Sequence, residues 1–180
     1  MDCTDDIVDL VAGAETLAPH FHLPLQHGAD TVLTRMRRPY TAGFFRGLVE
    51  RIHETMPHAA IGSDLIVGFP GESADEFSET ERMLSDLPLS HLHVFPYSDR
   101  PGTEASEMAG KVDGVAIRER GARLREIGRA MVARFRDTQR GTVRRALTVD
   151  DGRSAVTDNY IKVSLDPPQA RNTWISAVID

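Results

Sequence analysis

The chain predicts an α/β fold: parallel strands joined by helical crossovers, then a small antiparallel β module. Three observations predict it. Over residues 1–96 helical and strand patterns alternate as α-β-α-α-β-α-β, a spacing that calls for parallel strands. Three segments, His22-Leu23-Pro24-Leu25-Gln26-His27-Gly28, Asp64-Leu65-Ile66-Val67-Gly68-Phe69-Pro70-Gly71-Glu72 and Leu92-His93-Val94-Phe95-Pro96-Tyr97-Ser98-Asp99-Arg100, each pass from apolar residues into a polar cluster. From residue 141 onward the pattern changes to short β-branched runs between Asp, Gly and Pro turns.

In chain order, Thr4 caps a helix with Ile7, Leu10, Val11 and Ala14 on one face. A strand over residues 20–25 leads to a short helix over 29–36 carrying Val32, Leu33 and Met36. Thr41 then opens a longer helix with Phe45, Leu48, Val49, Ile52 and Met56 inward. The second strand covers residues 59–67, and its Leu65-Ile66-Val67 run predicts burial. Ser73-Ala74-Asp75-Glu76 is a capping box before a helix that turns Phe77, Thr80, Leu84 and Leu87 inward. Residues 91–96 form the third strand and 97–111 a loop. One long helix fills 114–139, striped by Ile117, Leu124, Ile127, Met131 and Phe135 and ended by Gly141. Strands over 143–149, 154–157, 160–165 and 173–179 complete a module related to OB-type barrels. The expected division is 1–140 and 141–180. Three parallel strands make a thin sheet, so either a barrel closes elsewhere or strands are missing.

The 180 residues are 41% hydrophobic, enough for a core, and no apolar run approaches the roughly 20 residues of a membrane span. The start, Met1-Asp2-Cys3-Thr4-Asp5-Asp6, is acidic, unlike a secretory or mitochondrial leader. A single cysteine excludes a disulfide framework and points to a reducing compartment; the expected location is cytoplasmic, without a membrane partner. The net charge of −6 conceals an asymmetry. Residues 118–145 hold ten arginines against Glu119, Glu126 and Asp137, a balance of +7 inside an acidic protein. That is the footprint of a polyanion contact or of a solvated helix face.

In parallel sheets ligands bind beyond the carboxyl ends of the strands, where Gln26–Gly28, Gly68–Glu72 and Tyr97–Arg100 fall. The Gly68-Phe69-Pro70-Gly71 turn lets a backbone approach a planar ligand, but matches neither the dinucleotide nor the P-loop glycine spacing. A tight strand-to-helix turn is the plainer reading. His20-x-His22 and His91-x-His93 each place two imidazoles on one strand face. They lie at strand beginnings with no acidic ligand assigned to them, so no metal site is expected. Cys3 reads as a plain thiol. Tyr160, Lys162 and Trp174 are suited to stacking on bases or to filling a small core.

Taken in order, these segments resemble the tRNA methylthiotransferases of the radical SAM superfamily. The resemblance runs from His22 to Asp30, through Val32-Leu33, Met36-Arg37-Arg38 and Tyr40-Thr41, then Asp64–Glu72, Phe95-Pro96-Tyr97-Ser98, Arg100 and Gly102-Thr103, into the arginine-rich helix. Residues 141–180 look like the family's TRAM domain, and Thr157-Asp158-Asn159-Tyr160-Ile161-Lys162-Val163 is most similar to the branch acting on N6-threonylcarbamoyladenosine. The resemblance implies the second half of a radical SAM barrel, with its last three strands, followed by a short RNA-binding TRAM-like barrel. It implies S-adenosylmethionine as cofactor, cleaved at a 4Fe-4S cluster to a radical that acts on C2 of an N6-modified adenosine beside the anticodon.

Carried onto this chain, the cofactor would meet Gln26, His27, Gly28, Val67, Gly68, Phe69, Glu72, Tyr97, Ser98 and Arg100. The tRNA anticodon stem-loop would meet Arg134, Arg140, Arg144, Arg145, Tyr160 and Lys162. His27 stands where the family usually has serine, and the cluster-binding Cys-x-x-x-Cys-x-x-Cys is absent, so no catalytic residue is assigned here. The expectation is a C-terminal half, inactive alone, that begins at an internal Met-Asp pair and pairs with an N-terminal half. A non-catalytic RNA-binding remnant and a metal-dependent hydrolase are the rival readings.

Overall fold

The computed structural model describes residues 3–180; Met1 and Asp2, the expected internal pair, lie outside the described residues. The elements are α1 (Asp5–Gly13), β1 (His20–His22), α2 (Asp30–Arg35), α3 (Ala42–Thr55), β2 (Ala60–Val67), α4 (Ala74–Asp86), β3 (His91–Pro96), α5 (Glu104–Glu107), α6 (Gly114–Gln139), β4 (Val143–Val149), β5 (Ser154–Thr157), β6 (Lys162–Ser164) and β7 (Trp174–Val178). β1, β2 and β3 form a parallel sheet in that order, and β6-β5-β4-β7 an antiparallel one. The chain is thus α/β with two separate sheets.

Local signals explain most boundaries. Thr41 Oγ1 accepts the Phe44 N–H at the start of α3, and Ser73 and Glu76 complete a reciprocal capping box at α4. α1 differs from expectation. It buries Val8, while Leu10 is 61% exposed, and Thr4 makes no side-chain cap. The first strand also stops early, at His22, with Leu23 N–H still donating to Gly62 O at 2.9 Å. Leu25 N–H instead donates to Ser63 Oγ at 3.2 Å, and pairing resumes in one bridge, Gln26 to Leu65.

The parallel sheet has two unlike faces. Phe21, Leu23, Leu25, Ile61, Leu65 and Val67 enter one core with Phe45, Leu48, Ile52, Phe77, Leu84, Leu124 and Met131 from α3, α4 and α6. On the opposite face the register aligns His22 with Gly62, His91 with Gly62, His93 with Asp64 and Phe95 with Ile66. Ile66 is only half-buried and Phe95 exposed, so the second strand is covered on one face rather than fully buried.

The antiparallel sheet encloses Ala146, Ala155, Ile161, Val163, Ala177 and Ile179, with Phe135 of α6 packed against them. Asn159, in the turn between β5 and β6, is bonded to the loop before β2 and to the end of α6: its Nδ2 donates to His58 O and to Gln139 Oε1, both at 3.0 Å. Tyr160 stacks on His20 with ring centroids 4.5 Å apart.

Candidate functional site

The carboxyl ends of the three strands meet along one edge. Parallel pairing aligns them, with Gln26 N–H donating to Asp64 O at 2.8 Å and Tyr97 N–H to Val67 O at 2.8 Å. Gly68 and Gly71 adopt positive φ, as the sharp exit from β2 requires. Gln26 also sits at φ 70°, and its Oε1 accepts from Arg38 at 3.0 Å.

The residues of this edge divide into two groups. Glu72 is buried, with one oxygen accepting from Gly68 N–H at 2.7 Å and Phe69 N–H at 3.3 Å, the other from Arg120 at 2.6 Å. Burial pushes this carboxyl up, but His27, the Gly68 N–H and Arg120 outweigh it and hold it below the usual range. Its carboxylate therefore closes the turn from inside the protein. His27 is likewise buried. Its Nδ1 accepts the Ala29 N–H at 3.1 Å, and its Nε2 lies 3.5 Å from Glu72 Oε2 without a well-aligned hydrogen bond. Gly28 is a packing glycine, since a Cβ there would lie 2.6 Å from Thr80 Cα, and its N–H donates to Thr80 Oγ1 at 3.0 Å. Val67 belongs to the core, and Phe69 packs with Ala29 and Val32, edge-on to Tyr97.

The second group is open. Ser98 and Arg100 are exposed, and Tyr97 is half-buried with its hydroxyl donating to Asp99 at 2.8 Å. Behind them Ile66 and Phe95 leave apolar surface on the uncovered face. A cavity of about 570 Å³ lies at the other end of the sheet, lined in part by Pro57, His58, Leu87 and Phe135, and shares no residue with this edge.

The histidine pairs depart from expectation. Asp64 projects between them: its Oδ1 lies 3.0 Å from His22 Nε2 and 3.2 Å from His93 Nδ1. An acidic group does accompany these imidazoles. The sequence hid it because Asp64 is brought opposite His93 only by strand register. His91 stands beside them with Nδ1 2.9 Å from Ser90 Oγ; burial first, then His20 and His93, push it down to about 4. Gly62 leaves room for its ring.

The arginines are less free than their number suggests. Arg120 pairs with Glu72, Arg123 with Glu81, Arg129 with Glu126, Arg140 with Asp137 and Arg144 with Asp158. Arg134 donates to Leu87 O at 2.9 Å, and Lys162 pairs with Asp150. Arg145 is exposed and lies 4.0 Å over the Trp174 ring. Trp174 is 53% and Tyr160 63% exposed, so neither fills the small core. Trp174 joins Arg145, Val143 and Val178 on one outer face of β4 and β7, a platform whose two strands the sequence separates by 29 to 35 positions.

Among the described residues no helix is long and apolar enough to cross a membrane. No protein-family model matches the chain. It is 39% identical over 158 residues to the threonylcarbamoyladenosine tRNA methylthiotransferase MtaB of Aquifex aeolicus, covering 88% of this chain and 38% of that protein. The protein of the same name from Bacillus subtilis is 35% identical over 89% of this chain and 37% of its own length. The tRNA-2-methylthio-N(6)-dimethylallyladenosine synthase of Thermobifida fusca is 43% identical over 70% of this chain and 26% of its own. The chain thus spans under two fifths of these relatives. Identity of 35–46% along most of its length places the chain in the radical SAM methylthiotransferase family, among the tRNA methylthiotransferases.

Proposed function

We propose that this chain supplies half of the cofactor site and the RNA grip of a tRNA methylthiotransferase. The whole enzyme would methylthiolate C2 of an N6-modified adenosine beside the anticodon. One observation carries the reading: the 158-residue likeness to a threonylcarbamoyladenosine tRNA methylthiotransferase is too long to miss any of the three strand-end turns.

The residues present fit the two cofactors unequally. One cysteine, Cys3, cannot hold an iron–sulfur cluster, so those ligands belong outside this chain. S-adenosylmethionine fits better. The open edge offers an apolar shelf at Ile66 and Phe95 for a base, beside the exposed Arg100 for a carboxylate. When bound, the sulfonium cofactor supplies radical and methyl-transfer chemistry. Arg100 and Ser98 would hold its amino-acid end and the Gln26 amide its ribose, with Tyr97 and the Gly68 backbone beside the base. His27, Gly28, Val67, Phe69 and Glu72 hold the turns in place. The RNA would lie on the Trp174–Arg145 platform, with Arg134, Arg140, Arg144, Tyr160 and Lys162 around it, phosphates displacing the exposed intramolecular partners.

The test is binding of the purified chain to an anticodon stem-loop bearing an N6-threonylcarbamoyl or N6-dimethylallyl adenosine. Affinity should fall steeply with salt, and equilibrium dialysis should show S-adenosylmethionine bound. No RNA affinity at low salt contradicts the reading. RNA affinity with no cofactor binding favours the RNA-binding remnant.

A further inference from the structure

The uncovered face of the parallel sheet carries a ligand set that the methylthiotransferase reading does not use. We propose that His22, Asp64 and His93 bind one divalent first-row transition-metal ion.

The geometry comes from three adjacent strands. His22 ends β1, Asp64 lies in the middle of β2, and His93 faces Asp64 from β3. All three side chains project from the face that no helix covers. Each offers one ligand atom, and these atoms lie within 4.8 Å of one another. The separations of 3.0 and 3.2 Å from Asp64 Oδ1 to the two ring nitrogens approach the roughly 3.3 Å between neighbouring ligands on a tetrahedral ion with ~2.0–2.1 Å bonds. Small movements of partly exposed side chains would admit the ion. The set contains two imidazoles and one carboxylate, and the side opposite the strands is open. This combination suits Zn, Co or Fe(II) and leaves coordination positions for water or substrate; all-oxygen sites for Mg or Ca look different.

The surroundings favour a built site over chance proximity. Parallel hydrogen bonding fixes the register, so the three Cα positions cannot slide apart without breaking the ladder. Gly62 makes room for the His91 ring, whose centroid stands 5.4 Å from that of His93 and limits where that imidazole can swing. Asp64 shares its face of β2 with Ile66 and Gly68, so the ion would sit about 13 Å from the Gly68 turn, four residues at ~3.3 Å each.

The experiment is calorimetric titration of the purified 180-residue chain with Zn(II), supported by the visible spectrum of its Co(II) complex. One equivalent should bind saturably, and Co(II) should give the intense ligand-field bands of a low-coordinate site. Asp64→Asn, and separately His93→Gln, should each weaken binding roughly tenfold or more, with circular dichroism confirming the fold. His53→Ala, an exposed histidine of α3, should leave it unchanged. Absence of saturable binding, or binding equally strong in D64N and H93Q, overturns the proposal. Neither outcome depends on methylthiotransferase activity, so the site and the function proposed above fail separately.

Discussion

Two carboxylates eight residues apart serve opposite purposes. Asp64 and Glu72 belong to the same strand-and-turn unit, and each contacts a histidine. Glu72 lies inside the protein with both oxygens occupied by main-chain N–H groups and Arg120. Asp64 keeps a 27% exposed side chain on an open face, meeting two imidazoles through one oxygen. The difference teaches which acid the fold needs and which it leaves for a ligand. A buried acid with its acceptors filled is part of the scaffold. A partly exposed one with aligned nitrogen ligands is available for chemistry.

The strongest way to break this comparison is Glu72→Ala. It leaves Arg120 without its buried partner and two N–H groups unsatisfied, and should cost about 3–5 kcal/mol in urea denaturation. A loss below about 1 kcal/mol would mean that Glu72 is as free as Asp64. Thr80→Val comes next. It removes the acceptor of the Gly28 N–H and the contact to His27 Nδ1, and should cost about 1–3 kcal/mol by the same measurement.

The acid limb of stability sharpens the contrast. The Arg35 guanidinium grips Glu76 with two hydrogen bonds of 2.9 Å and, against some burial, holds its carboxyl at about 2, down from 4.5. A depressed folded-state value stabilises the protein above pH 4.5, and this contribution disappears as pH falls from 4.5 toward 2. Unfolding followed between pH 5 and 2 should therefore show a slope that Arg35→Ala flattens. The smallest expected effect is that of Asp64→Asn on stability, within about 1 kcal/mol of wild type, since exposed ion pairs contribute little. A large loss would return Asp64 to the scaffold.

What the sequence made legible was local. The capping box Ser73–Glu76, the Thr41 cap, the third strand and the long helix from Gly114 to Gln139 follow from residues close in the chain. The three strand-end clusters were legible as one edge because crossover connections force parallel strands. Long-range pairing was not. Asp64 meets His22 and His93 only through register, and Arg120, Arg123 and Arg144 find Glu72, Glu81 and Asp158 across tertiary contacts, so the arginine count overstated the free charge. His27 looked like a ligand residue by position, yet its ring turns inward to Thr80 and Glu72. Strand position gave its place along the edge, but not its side-chain direction.

The central claim, that this chain serves tRNA methylthiolation, is tested most directly by mass spectrometry of tRNA nucleosides from cells with and without its gene. Deletion should remove a 2-methylthio-N6-modified adenosine and accumulate its unthiolated precursor, with the wild-type gene restoring the product. An unchanged 2-methylthio nucleoside profile after deletion would contradict the account.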